Sequence, residues 1–466
     1  MSPTTAALPV AILGGGITGL TAAWHLQRAG VPVVVFETAP VAGGVVTSAR
    51  ADGWLHEAGP NSLLEGSADV AAFIDAVGLG PHRLYAAASA KSRYVVRAGR
   101  LIAMPTSPFS FLRTPLFSLR AKLGLLGEPF RARSPADAEE SVAEFVERRL
   151  GPEFLDYAVN PFVGGVYAGD RRQLSVRHAF PKLHALEQEH GSLLLGALKR
   201  RNASGGPKGR IFSFPDGLAE LPRALAHSLG GSLRLSHRVD SVRRTDGAWE
   251  IAFESGGPRR AEPFSAVVCA LPADALAKLE FSGVPAAAQF SALREIEHPP
   301  VVSVLAGFRR ADVAHPLDGF GVLVPEVERR RVLGVLFSSS LFPGRAPEGH
   351  VALTTFVGGV RSPALAALDD DGLRQLVREE LGALLGVRGE PVHYRVRCWP
   401  RAIPQYALGY ARFKKIFADV EAAAPDLFIG GNARDGISLA HCIESGRRLA
   451  SEVATRVGPI ELAFRS

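Results

Sequence analysis

The stretch VAILGGGITGLTAAWHLQRAGVPVVVFE, Val10 to Glu37, constrains the fold more than any other part of the chain. Pro9–Leu13 and Val33–Phe36 are short, continuously apolar runs, as expected of strands buried on both faces of a parallel sheet. Gly19–Arg28 between them reads as a helix, so the chain opens with a βαβ unit. Gly14, Gly16 and Gly19 stand in G-x-G-x-x-G spacing, with Gly15 inside the turn. Gly14 permits the tight turn, Gly16 lets backbone approach a pyrophosphate, and Gly19 lets helix pack on strand, with the phosphates at the helix N-terminus. Alone, this spacing is a weak signal. Here it follows a strand, opens a helix and is answered by Glu37, where a carboxylate would accept from ribose hydroxyls. That acid excludes NADP and leaves NAD and FAD.

Two further glycine-rich places bear on the choice. Gly43 and Gly44 follow Glu37 closely and offer a second approach of backbone to a long ligand, although an isolated Gly-Gly pair is most often a turn. Near the far end, DLFIGGNARDGISLAHCIESGRRLA reads as strand, Gly-rich turn and helix. A helix starting at Gly436-Ile437-Ser438 would direct its positive end at whatever lies on the sheet. A reduced flavin needs such a dipole for its developing negative charge, whereas a plain sheet-packing helix needs none. The two nucleotide-binding ends lie far apart with other material between them, so the nucleotide domain is discontinuous.

That intervening material is of several kinds. Leu101–Phe130 is rich in Phe and Leu, carries Arg113, Arg120 and Lys122, and has no acid before Glu128. Such a stretch suits an anionic membrane surface, with a buried helical pair as the alternative. Ala136–Leu198 reads as mostly helical, and Arg201–Arg210 as a linker or exposed turn. A helix at Leu218–Leu229 precedes strands with period-two alternation, and Val301–Gly359 reads as an antiparallel sheet. No internal repeat is visible.

With 466 residues, two or three domains are expected. The net charge of +7 and pI near 9.5 come without a run of basic residues, so nucleic acid is not an expected partner. Cys269, Cys398 and Cys442 are widely spaced, with no zinc pattern, and fit a reducing compartment. The apolar run Leu8–Leu26 is better explained by the glycine turn than by a membrane span, and neither signal peptide nor transmembrane helix is expected. There is no H-E-x-x-H, G-x-S-x-G or P-loop, no acid/base carboxylate pair stands out, and no metal site is expected. Chemistry carried by a cofactor is the economical inference.

The blocks DGWLHEAGPNSLLEG, GGVYAGDRRQLSVRHAFPKL, EHGSLLLG, AIPQYALGY and HCIESG, in this order after GGGITG, resemble the protoporphyrinogen oxidase family along nearly the whole chain. The central GVYAGD…LS and IPQY segments are the specific ones. The resemblance implies FAD-dependent oxidation of a porphyrinogen, protoporphyrinogen IX, to the porphyrin in haem biosynthesis, with molecular oxygen as electron acceptor and peroxide as by-product. Oxidation of coproporphyrinogen III, another flavin amine oxidase or desaturase, and a flavin- or haem-binding accessory protein are the alternatives.

It also implies an α/β and α+β architecture. A discontinuous Rossmann-like FAD domain would comprise residues 1–90, 201–275 and 399–466. A helical membrane-associating and substrate-access region would take 91–200, and an antiparallel-sheet substrate domain 276–398.

Carried over residue by residue, the resemblance places Arg93 on a substrate propionate, Gly165 against the pyrrole rings, and Phe320, Leu323 and Phe356 as apolar walls. Gly59 and Asn61 would lie near the isoalloxazine, Val239 at the adenine, and Trp399 beside the cofactor. Arg434 and His441 depart from the family pattern, the former standing where an aromatic is usual and the latter where Asp is common. His190 is read as a helix-end histidine and not as a site residue. The expected partners are the porphyrinogen, oxygen, a membrane surface, a downstream haem-pathway enzyme and a second copy in a homodimer. The expected location is the cytoplasm, peripheral on the cytoplasmic face of the membrane.

Overall fold

The computed structural model describes residues 8–90, 92–135, 137–203 and 209–458, with the side chains of 200–203 excepted. Of the linker expected at Arg201–Arg210, residues 204–208 lie outside the described residues, while 201–203 end the helix Leu193–Ala203 and Arg210 begins the strand Arg210–Ser213. A five-stranded parallel sheet runs in the order Leu233–Arg234, Val33–Phe36, Val10–Leu13, Ala266–Cys269 and Leu427–Ile429. Its strands come from four distant parts of the chain. Val10 and Ile12 face one apolar core while Ala11 and Leu13 face another, so all four are buried and the run reads as continuously apolar.

The helix Ile17–Arg28 follows the glycine turn and crosses the last helix, Leu439–Val457, closely. A Cβ on Gly446 would fall 2.5 Å from the Thr18 carbonyl oxygen, so glycine sets that approach. On the opposite side a four-stranded sheet packs down, with the Phe253 and Phe264 rings 5.0 and 5.7 Å from Phe36.

A seven-stranded sheet forms the second layer system, in the order His393–Trp399, Val301–Arg309, His350–Gly358, Gly334–Leu336, Gly319–Leu323, Ser92–Arg97 and Arg100–Ala103. It is mixed and not purely antiparallel, because Gly319–Leu323 pairs parallel with Ser92–Arg97. This also corrects the assignment of the whole range 91–200 to the helical region: 92–97 and 100–103 form a β-hairpin of this sheet. Its two-residue turn takes positive φ at both Ala98 and Gly99, a geometry in which alanine is unusual, so the turn was not evident. The Glu328 carboxylate accepts from both turn N–H groups, at 2.8 and 3.0 Å.

One face of this sheet, bearing Val96, Val302, Val304, Val322 and Val335, is sealed by the amphipathic helix Asp370–Leu385. The other face turns toward the helical layer, residues 108–203. Within that layer Glu128, Arg149 and Glu187 are fully buried and paired, and Glu128 also bonds Ser192. Among the described residues no helix is long and apolar enough to cross a membrane.

Candidate active site

The dinucleotide end is built from close backbone approaches. Gly14 has φ +105°, and a Cβ there would lie 2.7 Å from the Ala270 carbonyl oxygen; one on Gly19 would lie 2.0 Å from the Gly14 oxygen. Gly15 donates its N–H to Glu37 Oε2 at 2.7 Å, and Ala39 donates to Oε1 at 2.8 Å, so the Glu37 carboxylate is fixed at the end of the second strand. Gly43 donates to the Gly15 carbonyl at 2.8 Å, and a Cβ on Gly44 would reach the Gly16 Cα at 3.4 Å. The two glycine loops therefore pack on each other. At Gly16 alone in this group a Cβ would meet nothing within 4 Å, which leaves an open cradle at the start of a helix. That is the fit a pyrophosphate needs.

Segment Arg234–His237 runs along Glu37: the N–H of Glu37 donates to the Arg234 carbonyl at 3.0 Å, and His237 donates back to Glu37 at 2.9 Å. Val239 follows directly, half-buried on the strand Arg238–Thr245. At the other end Ser438 caps the last helix by accepting from the His441 N–H at 3.1 Å, with Ile437 packed on the core just before it.

The two departures from the family pattern do not disturb this geometry. The Arg434 guanidinium turns to Glu421 and the Ile429 carbonyl, at 2.6 and 2.8 Å. His441 packs against Gly436, where a Cβ would fall 2.3 Å from its Nδ1.

The specific motif blocks meet here. Tyr406 and Tyr410 of AIPQYALGY donate their hydroxyls to the carbonyls of Asn432 and Ala433, at 2.5 and 2.7 Å, which shapes the loop before the last helix. Gln405 donates to the Tyr167 carbonyl at 2.8 Å, joining that block to GGVYAGD. Trp399 donates its indole N–H to the Ala58 carbonyl at 2.7 Å and so fixes the segment that leads to Gly59 and Asn61. A Cβ on Gly59 would lie 1.9 Å from the Val45 carbonyl oxygen, and Asn61 bonds the Gly59 carbonyl at 3.1 Å.

Glu57, just before them, is buried; it accepts from Ser48 at 2.5 Å and the Leu218 N–H at 2.8 Å, and burial pushes its pKa up against those bonds. A small cavity lies between Leu55, Glu57 and Asn61 on one side and Leu336 and Thr354 of the second sheet, with Phe342 of the segment joining its strands, on the other.

Cross-strand register places the other candidate residues. Residues directly opposite share a face. Val95, Leu323, Gly334, Phe356, Ser303 and Arg397 form one row across the seven-stranded sheet, and Arg93, Gly321, Leu336, Thr354, Leu305 and Arg395 the next. Arg93, Leu323 and Phe356 therefore share the face opposite the sealed one, with Leu323 and Phe356 two strand spacings, about 10 Å, apart. Gly165, on the helix Asn160–Tyr167, lies over this face: a Cβ there would fall 2.7 Å from Leu323 Cδ2. Phe356 clusters with Leu333 and with Ala168, just past that helix.

Phe320 is the extra residue of a bulge between Gly319 and Gly321; it packs by Ala90, Leu341 and Phe342, with the Arg93 guanidinium 5.3 Å from its ring centroid. It stands under the arginine, set apart from the Gly165–Leu323 contact. His190 ends the helix Pro181–His190 and lies against Gly196. The AIPQYALGY block is singled out in the sequence without roles for Gln405, Tyr406 and Tyr410, and Leu336 and Ser303 carry no sequence signal, since only register and long-range packing bring them here. No metal-ligating cluster occurs among the described residues.

Protoporphyrinogen oxidase 2 of Arabidopsis thaliana is 34% identical over 95% of this chain and 93% of its own length. Coproporphyrinogen III oxidase of Bacillus subtilis is 27% identical over 96% and 98%. A solved structure from Exiguobacterium sp. 255-15 superposes with a TM-score of 0.82 at 24% identity, covering 97% of this chain and 99% of that one. Reduced UDP-galactopyranose mutase does so with a TM-score of 0.72 at 16% identity, covering 97% and 96%; both likenesses concern the fold. The family of flavin containing amine oxidoreductases matches residues 17–454. The chain is thus an FAD-dependent oxidoreductase of the flavin-containing amine oxidoreductase family and, within it, belongs to the protoporphyrinogen oxidase family.

Proposed function

We propose that this protein oxidises a porphyrinogen, protoporphyrinogen IX, to the porphyrin, with molecular oxygen as final electron acceptor. The observation that carries the reading is the shared sheet face. Arg93, Leu323 and Phe356 lie on it, Gly165 covers it, and it borders the Ala58–Asn61 segment through Leu336 and Thr354. FAD held there would supply two-electron oxidation with reoxidation by oxygen to peroxide, and three such rounds would remove the six electrons and six protons that separate a porphyrinogen from the porphyrin. Gly14, Gly15, Gly16, Gly19, Glu37, Gly43 and Gly44 would hold its nucleotide half, with Val239 at the adenine. Gly59, Asn61, Trp399, Ile437 and Ser438 would surround its ring end.

The chain's other residues bind, orient and exclude water. Arg93 has no acidic partner among the described residues and is exposed, so it is free to take a propionate bidentately. Leu323 and Phe356 supply an apolar floor for a flat macrocycle, and Gly165 keeps side-chain bulk off its upper side. Residues 1–90, 201–275 and 399–466 would serve as the cofactor domain and 276–398 as the substrate domain, with the hairpin 92–103 added to the latter.

The protein also sits peripherally on the cytoplasmic face of a membrane in this reading. Phe109, Leu112, Leu119, Leu123, Leu126 and Phe130 are exposed in the helical layer, Phe130 by 89%, beside Arg113 and Arg120. Salt and carbonate washing of a membrane fraction tests this, and recovery solely in the unwashed soluble fraction speaks against it. A second copy of the chain and the enzyme that consumes the porphyrin are the accompanying protein partners, tested by sedimentation.

Porphyrin fluorescence, followed with protoporphyrinogen and coproporphyrinogen and with and without oxygen, tests the reaction. Faster appearance of protoporphyrin that requires oxygen is expected. Equal inertness toward both substrates refutes the reading, and a clear preference for the four-carboxylate substrate moves it to coproporphyrinogen.

A further inference from the structure

Arg93 stands near the open end of the seven-stranded sheet. Its strand pairs with Gly319–Leu323 only from Ser92 to Val95, with the bulge at Phe320 among those pairs, and the strand outside it, Arg100–Ala103, is the edge of the sheet. A two-stranded ribbon is marginally stable by itself, so whatever holds its turn helps to decide where Arg93 stands.

That turn is strained. Ala98 has φ +50° and Gly99 φ +72°, a pair of left-handed residues that suits Asn-Gly or Gly-Gly and not alanine. A residue with a Cβ persists in this region where its surroundings over-determine it. Here Glu328 does so, one carboxylate oxygen accepting from the Ala98 N–H and the other from the Gly99 N–H. Glu328 forms no ion pair among the described residues, so both its oxygens serve the turn.

Glu328 belongs to an anchored loop. It ends the short helical turn Glu326–Glu328, on the connection between the strands Gly319–Leu323 and Gly334–Leu336. Arg361 donates to the Val324 and Val332 carbonyls, at 3.1 and 2.7 Å, and closes the two ends of that connection. The Glu326 N–H donates to Asn160 Oδ1 at 2.8 Å, and the Glu326 carboxylate lies 3.4 Å from the buried Arg171. Asn160 begins the helix that carries Gly165. The same loop therefore grips the Arg93 hairpin on one side and the Gly165 helix on the other.

We propose that Glu328 is a positioning residue: by holding the Ala98–Gly99 turn it sets where the Arg93 guanidinium stands relative to Leu323 and Gly165, and so where a substrate carboxylate is held above the apolar floor. Ala98 lies five residues beyond Arg93, about 16 Å along the strand, so Glu328 acts through the hairpin and not on the substrate. The proposal rests on the reading of Arg93 as the propionate anchor.

The test uses the full-length FAD-loaded protein with Glu328→Ala, Glu328→Gln, Ala98→Asn and Arg93→Ala, alone and in pairs. KM and kcat for protoporphyrinogen, FAD affinity and thermal unfolding are read for each. Glu328→Ala is expected to raise KM about 3- to 5-fold, less than loss of Arg93 because the guanidinium is displaced and not removed. FAD affinity should stay at the wild-type value. Glu328→Gln, whose amide oxygen can accept from both N–H groups, should recover most of KM. Ala98→Asn added to Glu328→Ala should do the same, since Asn-Gly favours this turn by itself. In the Arg93→Ala background, Glu328→Ala should raise KM no further.

Equal fold-increases with and without Arg93 mean a general structural role and overturn the proposal. A raised KM in Arg93→Ala beside an unchanged one in Glu328→Ala sinks the positioning role alone, whereas an unchanged KM in Arg93→Ala removes the anchor and the proposal with it. If Glu328→Ala fails to fold, Glu328→Asp, whose shorter side chain reaches less far toward the turn, takes its place in the same comparison.

Discussion

Gly16 and Gly19, three residues apart, separate cofactor binding from folding. Gly16 has extended backbone, φ −75° and ψ 177°, which alanine adopts without strain, and its Cβ would touch nothing within 4 Å. Replacing it by alanine lowers unfolded-chain entropy, a gain of about 0.4–1 kcal/mol, and weakens the helix N-cap by a similar amount. Stability of the FAD-free protein should therefore stay within about 1 kcal/mol of wild type. The new methyl stands where a phosphate must approach, and each charge-assisted hydrogen bond lost there costs about 1.5–3 kcal/mol, or about 10- to 100-fold in FAD affinity.

Gly19→Ala differs, because its Cβ would fall 2.0 Å from the Gly14 carbonyl oxygen and 3.3 Å from Ile12. The turn and helix must part, at about 3 kcal/mol or more. Urea denaturation of the FAD-free protein and a fluorescence titration with FAD measure the two effects. A folded Gly16→Ala that binds FAD as wild type does, or a Gly19→Ala as stable as wild type, refutes the reasoning.

Other substitutions test the substrate face and the buried groups. Arg93→Ala should raise KM for a porphyrinogen about tenfold, the lower range for a charged hydrogen bond at an exposed site, with kcat little changed; an unchanged KM removes Arg93 from the site. Gly165→Ala places a methyl against the flexible end of Leu323, so thermal stability should hold while KM rises; a loss of stability with normal KM reverses that assignment. Tyr406→Phe frees the Asn432 carbonyl and should slow FAD rebinding more than it lowers stability, as stopped-flow reconstitution would show.

His56, held at about 4 when folded against 6.5 ordinarily, favours the folded state above pH 6.5, and this contribution is lost as pH falls toward 4. The full effect is at most about 3 kcal/mol. His56→Gln should flatten the decline between about pH 6.5 and 4 in denaturation curves, and an equally steep decline contradicts the shift.

The parts legible in the sequence are those with local causes. Val10–Leu13 and Val33–Phe36 are apolar because both their faces are covered, and Gly14 and Gly19 stand where a single turn demands them, with Gly16 open between them. Ser438 likewise declares a helix start by its own capping bond. The hairpin at 92–103 was hidden because Ala98, a residue that rarely adopts positive φ, occupies its turn.

The proposed substrate face was legible only through resemblance. Arg93 and Phe356 share it by register across intervening strands, and that register depends on the bulge at Phe320, which no local pattern announces. Ser303 reads as one more residue of an apolar strand until its lack of a partner is known. Arg434, a departure in the sequence, is explained by Glu421, thirteen positions away.

The central claim is that an electron pair passes from a macrocycle on the Leu323–Phe356 face to FAD held on the Gly14–Gly19 turn. Mixing the yellow holoprotein with protoporphyrinogen under strictly anaerobic conditions tests it most directly. The account predicts rapid bleaching of the flavin absorbance, and return of the colour with porphyrin fluorescence when oxygen is admitted. A flavin that stays yellow beside excess porphyrinogen, while the same protein is reduced by dithionite, would contradict it.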